Sequence, residues 1–241
     1  MRFDAVFFDS GGTIWLSRKP GTVPPGLSLE ELRDRRAVRL ANALSGLGYP
    51  ADAGQVQEAL PGLEQSCPGR FGAGFTYTDL IFALGEALGL SLRSEDLLLC
   101  ADAYVGPRYR SSLNPGIEEA LRAIAASGRH VGLLSNTYIP GLCVDRLLRS
   151  VGLLGYFKTR IYSGDEAVSK PDPGIFRLAE RRSGLAGRRV LYVGDDVVND
   201  IQAARAVGWS AALVRSSAAG SGGAADFEFD HMSELVPFAL A

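Results

Sequence analysis

The chain is short of the residues on which much enzyme chemistry depends. Among 241 residues it has two histidines, His130 and His231, three lysines, Lys19, Lys158 and Lys170, and three cysteines, Cys67, Cys100 and Cys143. The cysteines are far apart, odd in number and without a CxxC pair, which argues against a zinc site and against a Cys/His catalytic pair. His130 opens an apolar run and His231 lies near the C-terminus, so both read as structural or surface residues. No apolar run approaches the ~20 residues of a membrane helix, and the N-terminus moves straight into a strand pattern. A net charge of −2 offers no attraction to nucleic acid or to an anionic membrane. The expected setting is therefore the cytoplasm, with neither nucleic acid nor membrane as partner; no pattern sets an oligomeric state. Length and a 46% hydrophobic content suit one α/β domain or a core with an inserted subdomain.

What is present is organised around Phe3–Trp15, FDAVFFDSGGTIW. An apolar run ends abruptly in Asp9, and two glycines and Thr13 follow. The run predicts a strand buried on both faces, and the glycines predict a turn where it stops. An acid at that point would lie in the crevice where α/β sheets bind ligands.

After Trp15, the Pro- and Gly-rich LSRKPGTVPPG reads as a loop. Helical patterning then holds from 28 to 105. Ser28 and Glu31 have capping-box spacing, Val56, Ala59, Leu60 and Leu63 form one stripe, and Leu80, Leu84 and Leu88 form another. Ser94 is the expected cap of a fourth helix, and Cys67–Phe75 reads as a glycine-rich connector. No strand pattern interrupts this all-helical insertion.

Alternating strands and helices resume at Asn114, the expected N-cap of a helix with Pro115 at its first position. Strands are expected at Val131–Ser135, near Arg160–Ser163, at Val190–Gly194 and at Ala211–Val214, with helices from about Pro140, from Asp172-Pro173 and after Asp196. Ser216–Ala225 reads as a flexible surface loop. The rhythm implies a parallel sheet with right-handed crossovers: an α/β fold, a three-layer Rossmann-like core with an inserted helical cap. The expected boundaries are 1–16 and 108–241 for the core and 17–107 for the cap.

Three of these strands end in polar residues: Asp9, Ser135-Asn136 and Asp195-Asp196. In a parallel sheet such ends share one rim, bringing up to four carboxylates together with Asp200. An unpaired cluster of this kind is costly and invites a cation, and an oxygen-only set suits Mg²⁺. Ser135 adds a hydroxyl, and Lys170, in SKPDP, adds a positive charge. A carboxylate, a metal, a hydroxyl and a lysine make a phosphoryl-transfer site plausible in chemical terms.

The stretches FFDSGGTIW, LLSNT, SKPDPGIF and VGDDVVNDIQAARAVGW, in that order, resemble the motifs of the haloacid dehalogenase-like superfamily, with a helical cap after the first. The resemblance covers the core; the cap matches only in position, length and helicity. It implies that Asp9 is the nucleophile, that Ser135 holds the transferring group, and that Lys170 neutralises Asp9 and the phosphoryl oxygens. Gly12 and Asn136 join Ser135 and Lys170 as expected substrate contacts. The implied Mg²⁺ ligands are Asp9, the Gly11 carbonyl, Asp195 and Asp200, with Asp196 sharing that work. Thr13 is expected to brace the turn, and Trp15, Arg18 and Arg110 read as surface or hinge-packing residues. The cap is expected to close over the rim and exclude water.

One departure stands out. Phosphatases of this superfamily carry a second Asp two residues after the nucleophile, as general acid and base, and here that position is Gly11. A positioned acid typically contributes about 10²–10⁴-fold. The expected activity is Mg²⁺-dependent hydrolysis of a small phosphorylated metabolite, on a good leaving group or with a borrowed acid. Three alternatives share the motifs. A catalytically silent binding protein would keep the pocket. A 2-haloacid dehalogenase-like enzyme would need no metal and gain little from the Asp195–Asp200 charge. A phosphonatase-like enzyme needs a cap lysine, yet residues 20–157 contain none and Lys19 is the remote candidate.

Overall fold

The computed structural model describes residues 3–16, 28–215 and 225–241. The segment with Arg18 and Lys19 and most of the expected Ser216–Ala225 loop lie outside the described residues. The chain divides into two units: 1–17, 108–136 and 148–241 in one, 18–107 and 137–147 in the other. Residues 137–147, which the sequence placed in the core, thus group with the helices.

In chain order, β1 (Ala5–Phe8) precedes four helices, α1 (Leu29–Gly46), α2 (Ala53–Phe71), α3 (Tyr77–Ala87) and α4 (Ser94–Val105). Then come α5 (Ile117–Ala126), β2 (His130–Ser135), α6 (Gly141–Ser150), β3 (Thr159–Tyr162), α7 (Ser163–Glu166) and α8 (Pro173–Ser183). The chain ends with β4 (Val190–Gly194), α9 (Ala203–Ala206), β5 (Ser210–Val214), β6 (Phe227–Phe229) and α10 (Met232–Leu240).

The six strands form one sheet in the order β3-β2-β1-β4-β5-β6, with every neighbouring pair parallel. β1 lies centrally because all four of its residues are apolar and can be buried on both faces. Ala5 and Phe7 share a core with Leu134, Ile161 and Tyr192 from neighbouring strands and with Ile175, Phe176, Ala179 and Ala204 from α8 and α9. Val6 and Phe8 alternate to the opposite face and are equally buried. Each buried phenylalanine contributes about 1.5–3 kcal/mol of transfer free energy. Register then positions the site: Phe8 pairs with Leu133 on one side and Val193 on the other, so Asp9, Ser135 and Asp195 all emerge at the same edge.

In the helical unit, α1–α4 enclose a second core that includes Leu40, Leu44, Val56, Leu60, Leu80, Leu84 and Tyr104. The expected capping box is present, with the Glu31 amide donating to Ser28 Oγ (3.0 Å) and the Ser28 amide donating to Glu31 Oε2 (2.6 Å). Ser94 is the first residue of α4, one position inside the cap expected of it. The connector expected at Cys67–Phe75 is helical up to Phe71, despite Pro61 and Pro68. Cys67 lies seven residues after Leu60 and is buried, so it extends the apolar stripe, and burial outweighs poor local propensity.

Three further differences concern the α/β unit. α5 starts at Ile117 rather than at Pro115, because Asn114 is drawn toward the loop after β1. Its amide donates to the Ile14 carbonyl (2.8 Å), and Gly116 supplies the left-handed turn (φ 81°) before the helix. The single helix expected after β4 opens instead as a π-helical turn, Val197–Gln202, before α9. β6 and α10 had no strong pattern: β6 is three residues long, and α10 carries Pro237. Burial of Phe229, Met232, Leu235 and Ala239 explains both.

Candidate active site

The site is built around Lys170, a lysine only 4% exposed. Its Nζ donates to Asp9 Oδ1 (2.6 Å), to Asp200 Oδ1 (2.5 Å) and to the Tyr192 hydroxyl (2.9 Å), which uses all three of its protons. The lysine backbone is held as firmly as its head. Asn136 Oδ1 accepts from the Lys170 amide (2.8 Å), and Asn136 Nδ2 donates to the Lys170 carbonyl (2.8 Å). The Tyr192 hydroxyl in turn donates to the Leu134 carbonyl (2.8 Å), one residue before Ser135. The ends of β1, β2 and β4 are thereby tied to one cation.

Two glycines admit the carboxylates. A Cβ on Gly12 would lie 1.9 Å from Asp195 Oδ2, and Gly12 has a left-handed φ of +75°. A Cβ on Gly194 would lie 2.3 Å from Asp200 Oδ2. That oxygen accepts from the Asp195 and Asp196 amides (3.1 and 3.0 Å), while the other meets Lys170. The π-helical turn brings Asp200 inward; such turns recur at functional sites.

Asp9, Asp195 and Asp200 each offer an oxygen within 4.8 Å of the others. Against these three carboxylates stands one ammonium, which leaves two negative charges uncompensated. Burial pushes the Asp9 carboxyl up to about 6, with Asp200 adding to the effect and Lys170 opposing it. Burial, followed by the charges of Asp9 and Asp200, pushes Asp195 up to about 7. Burial alone would lower the pKa of Lys170, but Asp9 and Asp200 more than reverse this and hold it above the usual lysine range. A compact set of hard oxygens with surplus negative charge has the chemistry of a divalent-cation site and fits Mg²⁺.

The remaining expected site residues divide. Ser135 is 2% exposed, and its hydroxyl makes only a long contact to the Asn136 carbonyl (3.4 Å), which leaves it available. Gly11, expected to lend a carbonyl, is exposed on the loop after Asp9. Asn136, expected as a substrate contact, spends its carboxamide on Lys170. Asp196, expected to share the metal work, stands outside the carboxylate trio. Its Oδ1 accepts from the Val198 and Asn199 amides (both 2.8 Å) and its Oδ2 from Asn199 Nδ2 (3.0 Å), capping the following turn. Those bonds overcome burial and hold its pKa low.

Thr13 is buried, but its hydroxyl has no hydrogen-bond partner among the described residues, so it does not brace the turn as expected. Asn114 Nδ2 does so through the Gly12 carbonyl (3.5 Å). Trp15 is buried with the Arg108 guanidinium over its ring, and Arg110 binds Glu118 and the Val151 carbonyl. His130 bonds Thr159, and His231 caps α10, both structural tasks. Sequence reasoning missed Tyr192. Its signal was available: a hydroxyl in the middle of the otherwise apolar VLYVG, three residues before Asp195.

The chain is similar to known proteins in sequence and in fold. The chain is similar to a phosphoserine phosphatase from Thermus thermophilus, 34% identical over 132 residues that cover 55% of this chain and 51% of that protein. It is also similar to a phosphoglycolate phosphatase from Yersinia pseudotuberculosis, 40% identical over 98 residues and 41% of each chain. The matched stretches thus span about half or less of these relatives' own length. Solved structures share the fold: a HAD phosphatase from Thermococcus onnurineus (TM-score 0.59, 22% identity, 98% of this chain and 97% of that one). Another is a 2-haloacid dehalogenase from Pseudomonas syringae pv. tomato DC3000 (TM-score 0.63, 22% identity, 99% and 98%). The family model for haloacid dehalogenase-like hydrolases matches residues 3–208, from the start of the central strand to the end of the acidic motif. The chain belongs to the haloacid dehalogenase-like hydrolase family.

Proposed function

We propose that this hydrolase is a Mg²⁺-dependent phosphatase of small phosphorylated metabolites, working through Asp9 as nucleophile. The observation that carries the reading is the buried Lys170 bridge between Asp9 and Asp200, with Asp195 beside it and the Ser135 hydroxyl at the same sheet edge. Asp9 attacks phosphorus and forms an aspartyl phosphate, which water then hydrolyses. Lys170 holds the Asp9 carboxylate in place and offsets charge on the phosphoryl oxygens, while Ser135 donates to one of them. Asp9, Asp195 and Asp200 would hold Mg²⁺ with the Gly11 carbonyl; the ion, when bound, supplies positive charge for the transferring group. Gly12 and the peptide after Ser135 provide backbone amides for the same anion.

The phosphatase relatives support a small phosphorylated substrate. The surplus negative charge favours this reading over a metal-free dehalogenase-like reaction, since without a cation that charge only destabilises the site. No helix among the described residues is long and apolar enough to cross a membrane. The cytoplasm, being reducing, suits three buried thiols. We further place the cap at 17–107, with the catalytic core on either side of it.

The test is phosphate release from an aryl phosphate and a panel of phosphometabolites, with and without Mg²⁺, in wild type and Asp9→Asn. Metal-dependent turnover that disappears in Asp9→Asn is the expected result. Release no faster than the Asp9→Asn background on every substrate would refute the reading. The retained pocket without an acid at Gly11 would then favour a silent ligand-binding protein.

A further inference from the structure

Transfer of a phosphoryl group to Asp9 raises a proton question that depends on what leaves. An alkoxide needs a proton as its P–O bond breaks, whereas a carboxylate, phenolate or phosphate departs as the anion. Around Asp9, the carboxyl and ammonium groups of the cluster are all engaged and none is free to give that proton. Lys170 commits all three of its donors, and Asp200 commits both oxygens. Asp196 is spent on capping, and Tyr192 gives its proton to the Leu134 carbonyl. Asp9 is the attacking group, and Asp195 completes the trio that fits a cation. Segments 17–27 and 216–224, outside the described residues, contain no Asp or Glu at all. Two residues beyond Asp9, Gly11 is exposed, lies outside the left-handed region, and has nothing within 4 Å of a Cβ built on it. A side chain would fit there, and none is present.

Resting on the phosphatase reading above, we propose that Gly11 restricts this chain to phosphoryl compounds whose leaving group departs as a stable anion. Acyl, aryl and enol phosphates and phosphoric anhydrides belong to this class; alkyl phosphate esters do not. In the first step an Asp9 oxygen bonds to phosphorus while the bond from phosphorus to the leaving oxygen breaks. That oxygen keeps the electron pair and leaves unprotonated. In the second step water bonds to phosphorus and the bond from phosphorus to the Asp9 oxygen breaks. Asp9 is regenerated as the carboxylate, and hydrogen phosphate and one proton pass to solvent.

The experiment is a leaving-group series in Mg²⁺-containing buffer: aryl phosphates of rising leaving-group pKa, an acyl phosphate and an alkyl phosphate. Wild-type kcat/KM is expected to fall steeply along the series, with the alkyl ester about 10²–10⁴-fold below the best aryl phosphate. Gly11→Asp should raise alkyl turnover more than aryl turnover and flatten the slope, whereas Gly11→Asn, which fills the same space without an acid, should not. Equal turnover of alkyl and aryl phosphates by the wild type would overturn the proposal while leaving the phosphatase reading intact. So would a soluble, folded Gly11→Asp whose slope matches the wild type. If that variant fails to fold, the wild-type series decides alone. No turnover of any member, the acyl phosphate included, would instead refute the phosphatase reading itself.

Discussion

The two units of this chain treat buried charge in opposite ways. In the helical unit, Asp96 is 2% exposed and accepts from Tyr49 Oη (2.7 Å) and Arg93 Nε (2.7 Å). The bonds from Arg93 and Tyr49 hold its carboxyl below the usual range. Tyr104, buried in the same unit, donates to Glu64 and lies under the Arg36 guanidinium. In the α/β unit, Asp9 and Asp195 are pushed above the usual range, first by burial and then by the carboxylates beside them, which a single lysine does not offset. A balanced buried charge holds a fold together, whereas a surplus costs stability and persists where it serves a site.

The comparison predicts opposite responses to the same kind of substitution. Asp9→Asn, which removes the proposed nucleophile, should lower turnover by roughly 10⁴-fold or more. It should also raise the melting temperature in EDTA, because it removes surplus charge. Both readouts come from one preparation, and a variant that is inactive but less stable would break the comparison. Asp96→Asn should do the reverse, lowering the melting temperature and leaving kcat of the folded protein unchanged. A stable Asp96→Asn protein with impaired kcat would move that carboxylate from structure to function.

Next in size come the groups that seat Lys170. Asn136→Ala frees the Lys170 backbone, and Tyr192→Phe removes the third partner of its ammonium. Misplacing a catalytic group by about 1 Å can cost on the order of 10²-fold, so Asn136→Ala should lower kcat by about 10–100-fold with little change in KM. Tyr192→Phe leaves both carboxylate bonds in place and should cost less. A change confined to KM in either variant would place that residue on the substrate instead.

The smallest expected effect is on thermal stability as pH changes. Asp9 and Asp195 titrate higher in the folded chain than in the unfolded one, so in EDTA their ionisation costs stability. The cost is absent below the unfolded carboxyl range near 3.8 and is complete above about 7. A cation in the trio offsets it, so the melting-temperature gain from Mg²⁺ should grow between about pH 5 and pH 8, each kcal/mol being worth about 2–4 °C in a chain of this size. A gain that is constant or shrinking with pH would mean that the surplus charge is not what binds the ion.

Much of this contrast was legible in the sequence. Apolar runs that stop at Asp9, Ser135 and Asp195 place those residues on one sheet edge, because parallel strands share their direction. Lys170, just before a capped helix, was recognisable as the cation. The division of labour between Asp196 and Asp200 was not. It depends on the π-helical turn after β4, whose changed period turns one carboxylate inward and leaves the other to cap, whereas a 3.6-residue reading assumes one continuous helix. The Asn136 clamp and the Tyr192 contact are side-chain geometries between strands and loops far apart in the chain, which periodicity does not encode. β6 was too short to carry a period of its own.

In the proposed reaction, Asp9 attacks phosphorus and is regenerated by attack of water on phosphorus. Its most direct test is a single turnover of an aryl phosphate in H₂¹⁸O, followed by mass analysis of inorganic phosphate and of the peptide containing Asp9. The expected result is ¹⁸O in the phosphate and none in Asp9, because the carboxylate keeps both of its oxygens. Label in Asp9 would contradict it: water would then have attacked the carboxyl carbon of an ester intermediate, the outcome of dehalogenase-like chemistry.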